Sequence, residues 1–353
     1  MDTRDLRSRF AGAMVGFAVG DAMGMPTQFL SREQILTCYG KPVTTFLRAH
    51  PGHASEFLPP GSYTDDTQLL IATAECLIEH GRMEPARQAE AILSWHVNTS
   101  PHRAPMRANE LACKHLAAGK PWNKSGVYSS GCGAAMRMPP VGLLYYRQTD
   151  ALVRAVLDSC LITHTDPKAK AAAVAVAYLI ARLVQSGEKC SPGNQVLEVA
   201  DCAHSIDSDM AAMLRWVIQV VDLPPEEALF EIGTSSDAIE VLPAATYCFL
   251  KHPRRFADAV PTAANAGDAS DSVAALAGSF VGAFAGLETI PKTFRDEVED
   301  GDVLAAIGDQ LASLALARQE SSPPDFPCTR GHESTSAGAR PARVRDTGTG
   351  SRT

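Results

Sequence analysis

The sequence predicts an all-α fold, a single-domain orthogonal multi-helix bundle. Alanine-rich stretches from Leu6 to about Leu316 repeat apolar residues at intervals of three and four, the spacing that gathers them on one helix face. Strand patterns are scarce; PVTTFL at 42–47 is the best of them and stands alone. No obvious linker interrupts the series, so the helices must bury their faces against one another. A chain of 353 residues is long enough for that core to be large.

The opening stretch, MDTRDLRSRFAGAMVGFAVGDAMG, sets basic residues before an apolar run and so imitates a secretion signal. Asp21 and the continuing helical pattern argue against cleavage. Helical periodicity returns in DTQLLIATAECLIEHG (66–81), KAKAAAVAVAYLIARLVQSG (168–187) and AAMLRWVIQVV (211–221). Residues 171–181 and 273–287 are apolar nearly all round, which predicts central helices whose small side chains allow close packing. No apolar run reaches the ~20 residues a membrane span needs, so no membrane role is expected. After Arg318 the chain turns to Ser, Gly, Pro, Thr and Arg; 1–318 reads as the domain and 319–353 as a disordered tail.

A net charge of -8 gives no broad attraction for nucleic acid. Nine cysteines at 38, 76, 113, 132, 160, 190, 202, 248 and 328 are scattered singly without a CxxC pair. That pattern predicts reduced thiols, a cytoplasmic protein and no zinc site of the usual spacing.

Chemistry concentrates in a few loops. GSYTDDTQ (61–68) delivers Thr64, Asp65 and Asp66 just before a helix, where neighbouring carboxylates converge more easily than within a regular turn. Their oxygens suit hard cations such as Mg²⁺ or Mn²⁺, although the same residues also make an ordinary N-cap. NAGDASDS (265–272) poses the same choice for Asp268, Asp271 and Ser272 about two hundred residues later. Two acidic loops, each opening a buried alanine-rich helix, have reason to meet across a bundle.

SSGCGAAMRMPP (129–140) holds small residues whose backbone N–H groups are free to approach an anion; ordinary glycine turns look alike. ITHTDPKAK (162–170) places His164 in a polar loop before a long helix, as a structural hydrogen-bonding residue or a site residue. Asp21 is an acid inside an apolar segment, and a buried acid needs partners, as a structural hub or as part of a site. There is no GxSxG, and no cysteine has an evident histidine partner.

Taken together and in order, these residues resemble the ADP-ribosylglycohydrolase family. GAMVGFAVGDAMGMP is similar to its opening helix and loop, GSYTDDTQ to its first metal motif and GCGAAMRMPPVGLLY to its diphosphate loop. THTDPKA is similar to its histidine loop, GTSSDAIEVLPAATYCFL to a later helix, and DASDSVAALAGSFVGAFAG to its last metal motif. The resemblance covers roughly residues 6–291.

It implies an all-α fold around two Mg²⁺ or Mn²⁺ ions and release of ADP-ribose from a modified protein, or from a smaller ADP-ribosyl or ribosyl substrate, by an activated water. By resemblance, Thr64, Asp65, Asp66, Asp271 and Ser272 hold metal, with Asp65, Asp66 and Asp271 catalytic. Gly131, Cys132, Gly133, His164 and Gln28 bind substrate, and Asp21 supports the ligands.

Three positions depart from the pattern. Ala269 stands where the first acid of the last motif belongs, and Asp268 one residue earlier. Either Asp268 supplies the missing carboxylate through a changed loop or the second ion is held by fewer acids. Gln28 stands where many members carry a glutamate, keeping the hydrogen-bonding shape and losing the base. HRAPMRANELA (102–112) lacks the Gly and Thr often found near that helix start, which suggests a different leaving group. The resemblance thus allows a working glycohydrolase or, alternatively, a catalytically impaired relative that binds ADP-ribose or a nucleotide.

Overall fold

Glycines recur every fourth residue, at 12, 16, 20 and 24, along the first helix, Thr3–Gly24. Ser270, Ala274, Gly278 and Gly282 keep the same interval along Ser270–Ala285. Residues four apart lie on one helix face, so each helix carries a stripe with almost no side chain. The stripes meet. In the computed structural model, a Cβ placed on Gly16 would sit 2.3 Å from the Gly278 carbonyl oxygen, and one on Gly20 2.0 Å from that of Ala274. Backbone therefore touches backbone, and both helices are buried over most of their length. That contact carries the loop after Gly24 to the start of the second helix, where the acids stand.

The structure describes residues 2–186 and 190–320. Among them are eighteen α-helices and no strand, only two isolated bridges, Val127 with His164 and Gly131 with Asp237. The all-α expectation holds, and the helices read at 66–81, 168–187 and 211–221 appear as Asp65–His80, Pro167–Ser186 and Ser208–Val220. Their starts follow local chemistry. Thr64 caps the first by accepting the Asp66 N–H, while Asp166 accepts the Lys168 N–H ahead of Pro167, a residue whose missing N–H costs nothing at a first position.

PVTTFL forms no strand. The backbone N–H and C=O of Val43 pair with the side-chain amide of Asn265, at 2.8 and 2.7 Å, so one amide takes the place of a neighbouring strand.

One expectation on membranes is corrected. Pro167–Ser186 spans 20 residues and is apolar enough to cross a bilayer by length and composition. It is instead a central helix here, with 78% of its apolar window buried in the chain's own core. The last helix, Gly301–Glu320, runs two residues into the stretch read as tail; the rest of that stretch, 321–353, lies outside the described residues.

Candidate active site

Asp21, fully buried on the first helix, ties that helix to the TDDT loop. Its carboxylate accepts the backbone N–H groups of Thr64 and Thr67 at 3.1 Å and the Thr67 hydroxyl at 2.6 Å. Burial raises its pKa, while the bonds from Thr67 and Thr64 oppose the rise. The role is structural: Asp21 sets where the next two acids stand.

Asp65, Asp66 and Asp271 are each at most 2% exposed. Burial raises all three pKa values. Like charge adds to the rise, from Asp66, Asp271 and Asp21 at Asp65, from Asp21 at Asp66, and from Asp66 and Asp21 at Asp271. The Ser272 hydroxyl donates to Asp66 Oδ2 at 2.7 Å, and the Gln28 amide donates to Asp271 Oδ2 at 2.5 Å. The second oxygens, Asp66 Oδ1 and Asp271 Oδ1, are buried with no hydrogen-bond partner among the described residues, as is Gln28 Oε1. Such atoms are costly to bury bare. A hard divalent cation suits this donor set, because carboxylate, amide and hydroxyl oxygens are its preferred ligands. Among the described residues, no three acids, histidines or cysteines form a ready-made metal-holding group. The fit is therefore one of donor chemistry and unpartnered oxygens.

Five of the six residues expected at metal, Thr64, Asp65, Asp66, Asp271 and Ser272, are buried at these two helix starts. Asp268 is not with them. It is exposed, with φ 50°, and its backbone pairs with the facing loop through Phe29 N–H to Asp268 O at 2.7 Å and Asp268 N–H to Leu30 O at 2.9 Å. Those two bonds hold the loop so that Asp268 lies on the rim of the cavity that Asp271 and Ser272 line. The helix start also differs from a side-chain cap. Ala269 occupies the N-cap position and no side chain caps it; its N–H goes to the Thr234 carbonyl at 2.9 Å. Asp271 lies in the first turn, where the helix dipole favours an anion.

That cavity, about 500 Å³, is also lined by Gln28, Gly131 and His164. The Gly131–Gly133 loop is less open to an anion than its composition suggests. Gly131 N–H donates to Ser129 Oγ at 3.2 Å, and Cys132 N–H to the Ser236 carbonyl at 3.0 Å. Cys132 is buried and its thiol pKa is raised chiefly by burial. Gly133 is a close-contact position: a Cβ there would meet Met106 Sδ at 3.0 Å and His164 Cε1 at 3.2 Å. His164 is fully buried, its pKa lowered to about 3 by burial and then by Arg137.

The sequence marks 102–112 only as a departure from the family pattern, and it gives Arg103 and Arg137 no role. Segment 104–108 forms one wall of the cavity, and Met106 N–H reaches Asp65 Oδ2 at 3.4 Å. Arg103 anchors that segment through a bidentate pair with Glu299 and donates to the Tyr63 carbonyl, while its own carbonyl accepts the Asp65 N–H. Arg137, fully buried, reaches Gly133, Ser159 and Thr163. Its signal was present: the lone charge in AAMRMPPVGLL is a buried ion that must find acceptors.

Comparison with known proteins identifies the family and the fold. The family model described as ADP-ribosylglycohydrolase matches residues 2–322. An uncharacterized protein of Archaeoglobus fulgidus is 32% identical over 313 residues, covering 88% of this chain and 98% of that one. The ADP-ribosylarginine hydrolase Tri1 of Serratia proteamaculans is 27% identical, covering 86% and 79%. ADP-ribosylhydrolase ARH3 of Homo sapiens is 25% identical, covering 84% and 92%. A solved structure titled ADP-ribosylglycohydrolase-related protein complex superposes with a TM-score of 0.71 at 25% identity, over 88% of this chain and 99% of that one. Because the family model spans nearly the whole described length, the chain belongs to the ADP-ribosylglycohydrolase family.

Proposed function

We propose that this chain is a metal-dependent glycohydrolase that cleaves the bond between ADP-ribose and a modified acceptor, releasing ADP-ribose. The observation that carries this reading is the pair of buried, unpartnered carboxylate oxygens, Asp271 Oδ1 on a residue that lines a cavity large enough for part of a nucleotide-sized ligand, and Asp66 Oδ1 on the acid bonded to Ser272 of the same lining. Asp65, Asp66 and Asp271, with Thr64 and Ser272, would hold Mg²⁺ or Mn²⁺. Bound there, such ions lower the pKa of a water and polarise ribose hydroxyls.

The chain's own residues supply orientation. Gln28 fixes Asp271 by one oxygen and Ser272 fixes Asp66 by one, leaving the other oxygen of each acid for a ligand. Asp21 holds the TDDT backbone in place, and Arg103 holds the facing wall. The diphosphate role proposed for Gly131, Cys132 and Gly133 must work through the remaining groups of that loop, because Gly131 and Cys132 already spend their N–H groups.

A second reading, an impaired ADP-ribose binder, is favoured by one arrangement. Gln28 supplies an amide in place of a base, and Asp268 stands on the rim, so fewer acids would face bound ions. A single experiment separates the two. Purified protein with Mg²⁺ or Mn²⁺ is incubated with arginine- and serine-linked ADP-ribosyl conjugates and with simple ribosides, and released ADP-ribose, base or sugar is measured by chromatography. Release from either conjugate supports the first reading. Micromolar ADP-ribose binding by calorimetry without turnover supports the second, and neither binding nor release overturns both.

A further inference from the structure

Arg137 heads the fully buried side chains by volume, and its partners form a chain. Its Nη2 donates to the Thr163 hydroxyl oxygen at 2.8 Å, and that same oxygen lies 2.8 Å from Nδ1 of His164. Among the described residues the hydroxyl has these two partners. A guanidinium has donors only, so the Thr163 oxygen accepts from Arg137. The single hydroxyl proton then needs an acceptor, and His164 Nδ1 is the one within reach.

We propose that Arg137, acting through Thr163, holds His164 as the neutral tautomer with its proton on Nε2, so that the imidazole presents a hydrogen-bond donor to the cavity for an acceptor oxygen of the substrate. The opposite tautomer would face the Thr163 oxygen with two donors and leave its proton without an acceptor, in an interior where bare polar groups are costly. Nε2 is buried with no hydrogen-bond partner among the described residues, and His164 lines the cavity beside Gly131, whose added Cβ would stand 3.9 Å from that nitrogen. Burial and the nearby guanidinium keep the ring neutral. Ribose and diphosphate oxygens are acceptors of the kind a neutral N–H selects. The tautomer stands on the protein alone; the identity of its partner rests on the proposed function. Arg137 and Thr163 are positioning residues, acting through His164.

The test is a long-range ¹H–¹⁵N spectrum of histidine-labelled protein at pH 7, with His164 assigned by difference from His164→Gln. A protonated Nε2 and a bare Nδ1 are expected; a proton on Nδ1 in the unmutated protein overturns the proposal. Thr163→Val should mix or reverse the tautomers and weaken ADP-ribose binding about tenfold by calorimetry, the loss of one net hydrogen bond. Thr163→Ser should restore both. A Thr163→Val spectrum unchanged from the parent also overturns the relay. Should the unmutated protein bind no ADP-ribose while its spectrum shows Nε2–H, the assigned substrate partner falls and the tautomer remains.

Discussion

The Gln28 amide donates to Asp271 at 2.5 Å, and the remaining oxygen of each side chain has no hydrogen-bond partner among the described residues. Glutamine here does something a glutamate cannot do without help: it offers an N–H to a buried carboxylate. Gln28→Glu would set two acids against one another in a dry site. In EDTA the variant should lose about 1–3 kcal/mol, the range for a buried polar group deprived of its partner. With Mn²⁺ a cation between the carboxylates should recover most of that loss. Urea midpoints in both conditions check this, and an equal loss in each would break the link to metal.

The glycine stripe predicts a sharp contrast between two conservative changes. Gly20→Ala drives a methyl to within 2.0 Å of the Ala274 carbonyl oxygen, so the two central helices must part. Overpacking of this kind costs about 1–3 kcal/mol and occasionally more; with backbone on both sides, the upper end is expected. Gly193→Ala, whose Cβ would meet only Ser191 Oγ at 3.7 Å, lies in the first turn of Pro192–His204 and should be neutral or stabilising by about 0.5 kcal/mol. Thermal midpoints of the two variants, measured together, decide the point.

How far the sequence can be read depends on where each residue finds its partner. Helical spacing is a local pattern, so the all-α core and the central place of 273–287 follow from inspection; that the glycines at 12–24 pack against that helix shows only in the fold. Thr64 and the two acids after it are also local, since a cap and its helix are neighbours. Asp21 is different: its hydrogen bonds go to residues 43 and 46 positions away, and only the fold shows that it holds the TDDT loop. Asn265 replaces a strand partner for Val43 across 222 positions, which no strand pattern could reveal. Asp268 has a side-chain type that suits a metal, but two backbone bonds to the 29–30 loop decide its place, and no local pattern shows them.

Metal binding should separate Asp268 from the buried acids. Mn²⁺ at a hundred times its dissociation constant should stabilise the protein by about 2.7 kcal/mol through mass action. Asp66→Asn and Asp271→Asn should abolish most of that gain, because each removes negative charge from a buried oxygen set that suits a divalent cation. Asp268→Asn should keep the gain, with affinity changed by no more than about threefold, as expected of an exposed charge outside the cluster. Calorimetric titration of the four proteins measures it. A loss at Asp268 equal to that at Asp271 would place Asp268 among the ligands.

His164 predicts a pH dependence of stability. Its folded pKa is lowered from 6.5 to about 3, first by burial and then by Arg137. The unfolded chain therefore binds a proton between those values that the native chain refuses, so this group's contribution is present above about 6.5 and is lost as pH falls towards 3. Between pH 7 and pH 5 the loss should be about 1–2 kcal/mol. Other groups titrate in that window, so the comparison must be with His164→Gln, which cannot take up the proton. The parent should lose about 1–2 kcal/mol more than the variant between pH 7 and pH 5, read from urea midpoints at constant ionic strength. Equal slopes would mean that native His164 takes up its proton over the same range as the unfolded chain, and a ring protonated at pH 5 would leave Nδ1 unable to accept from Thr163 there.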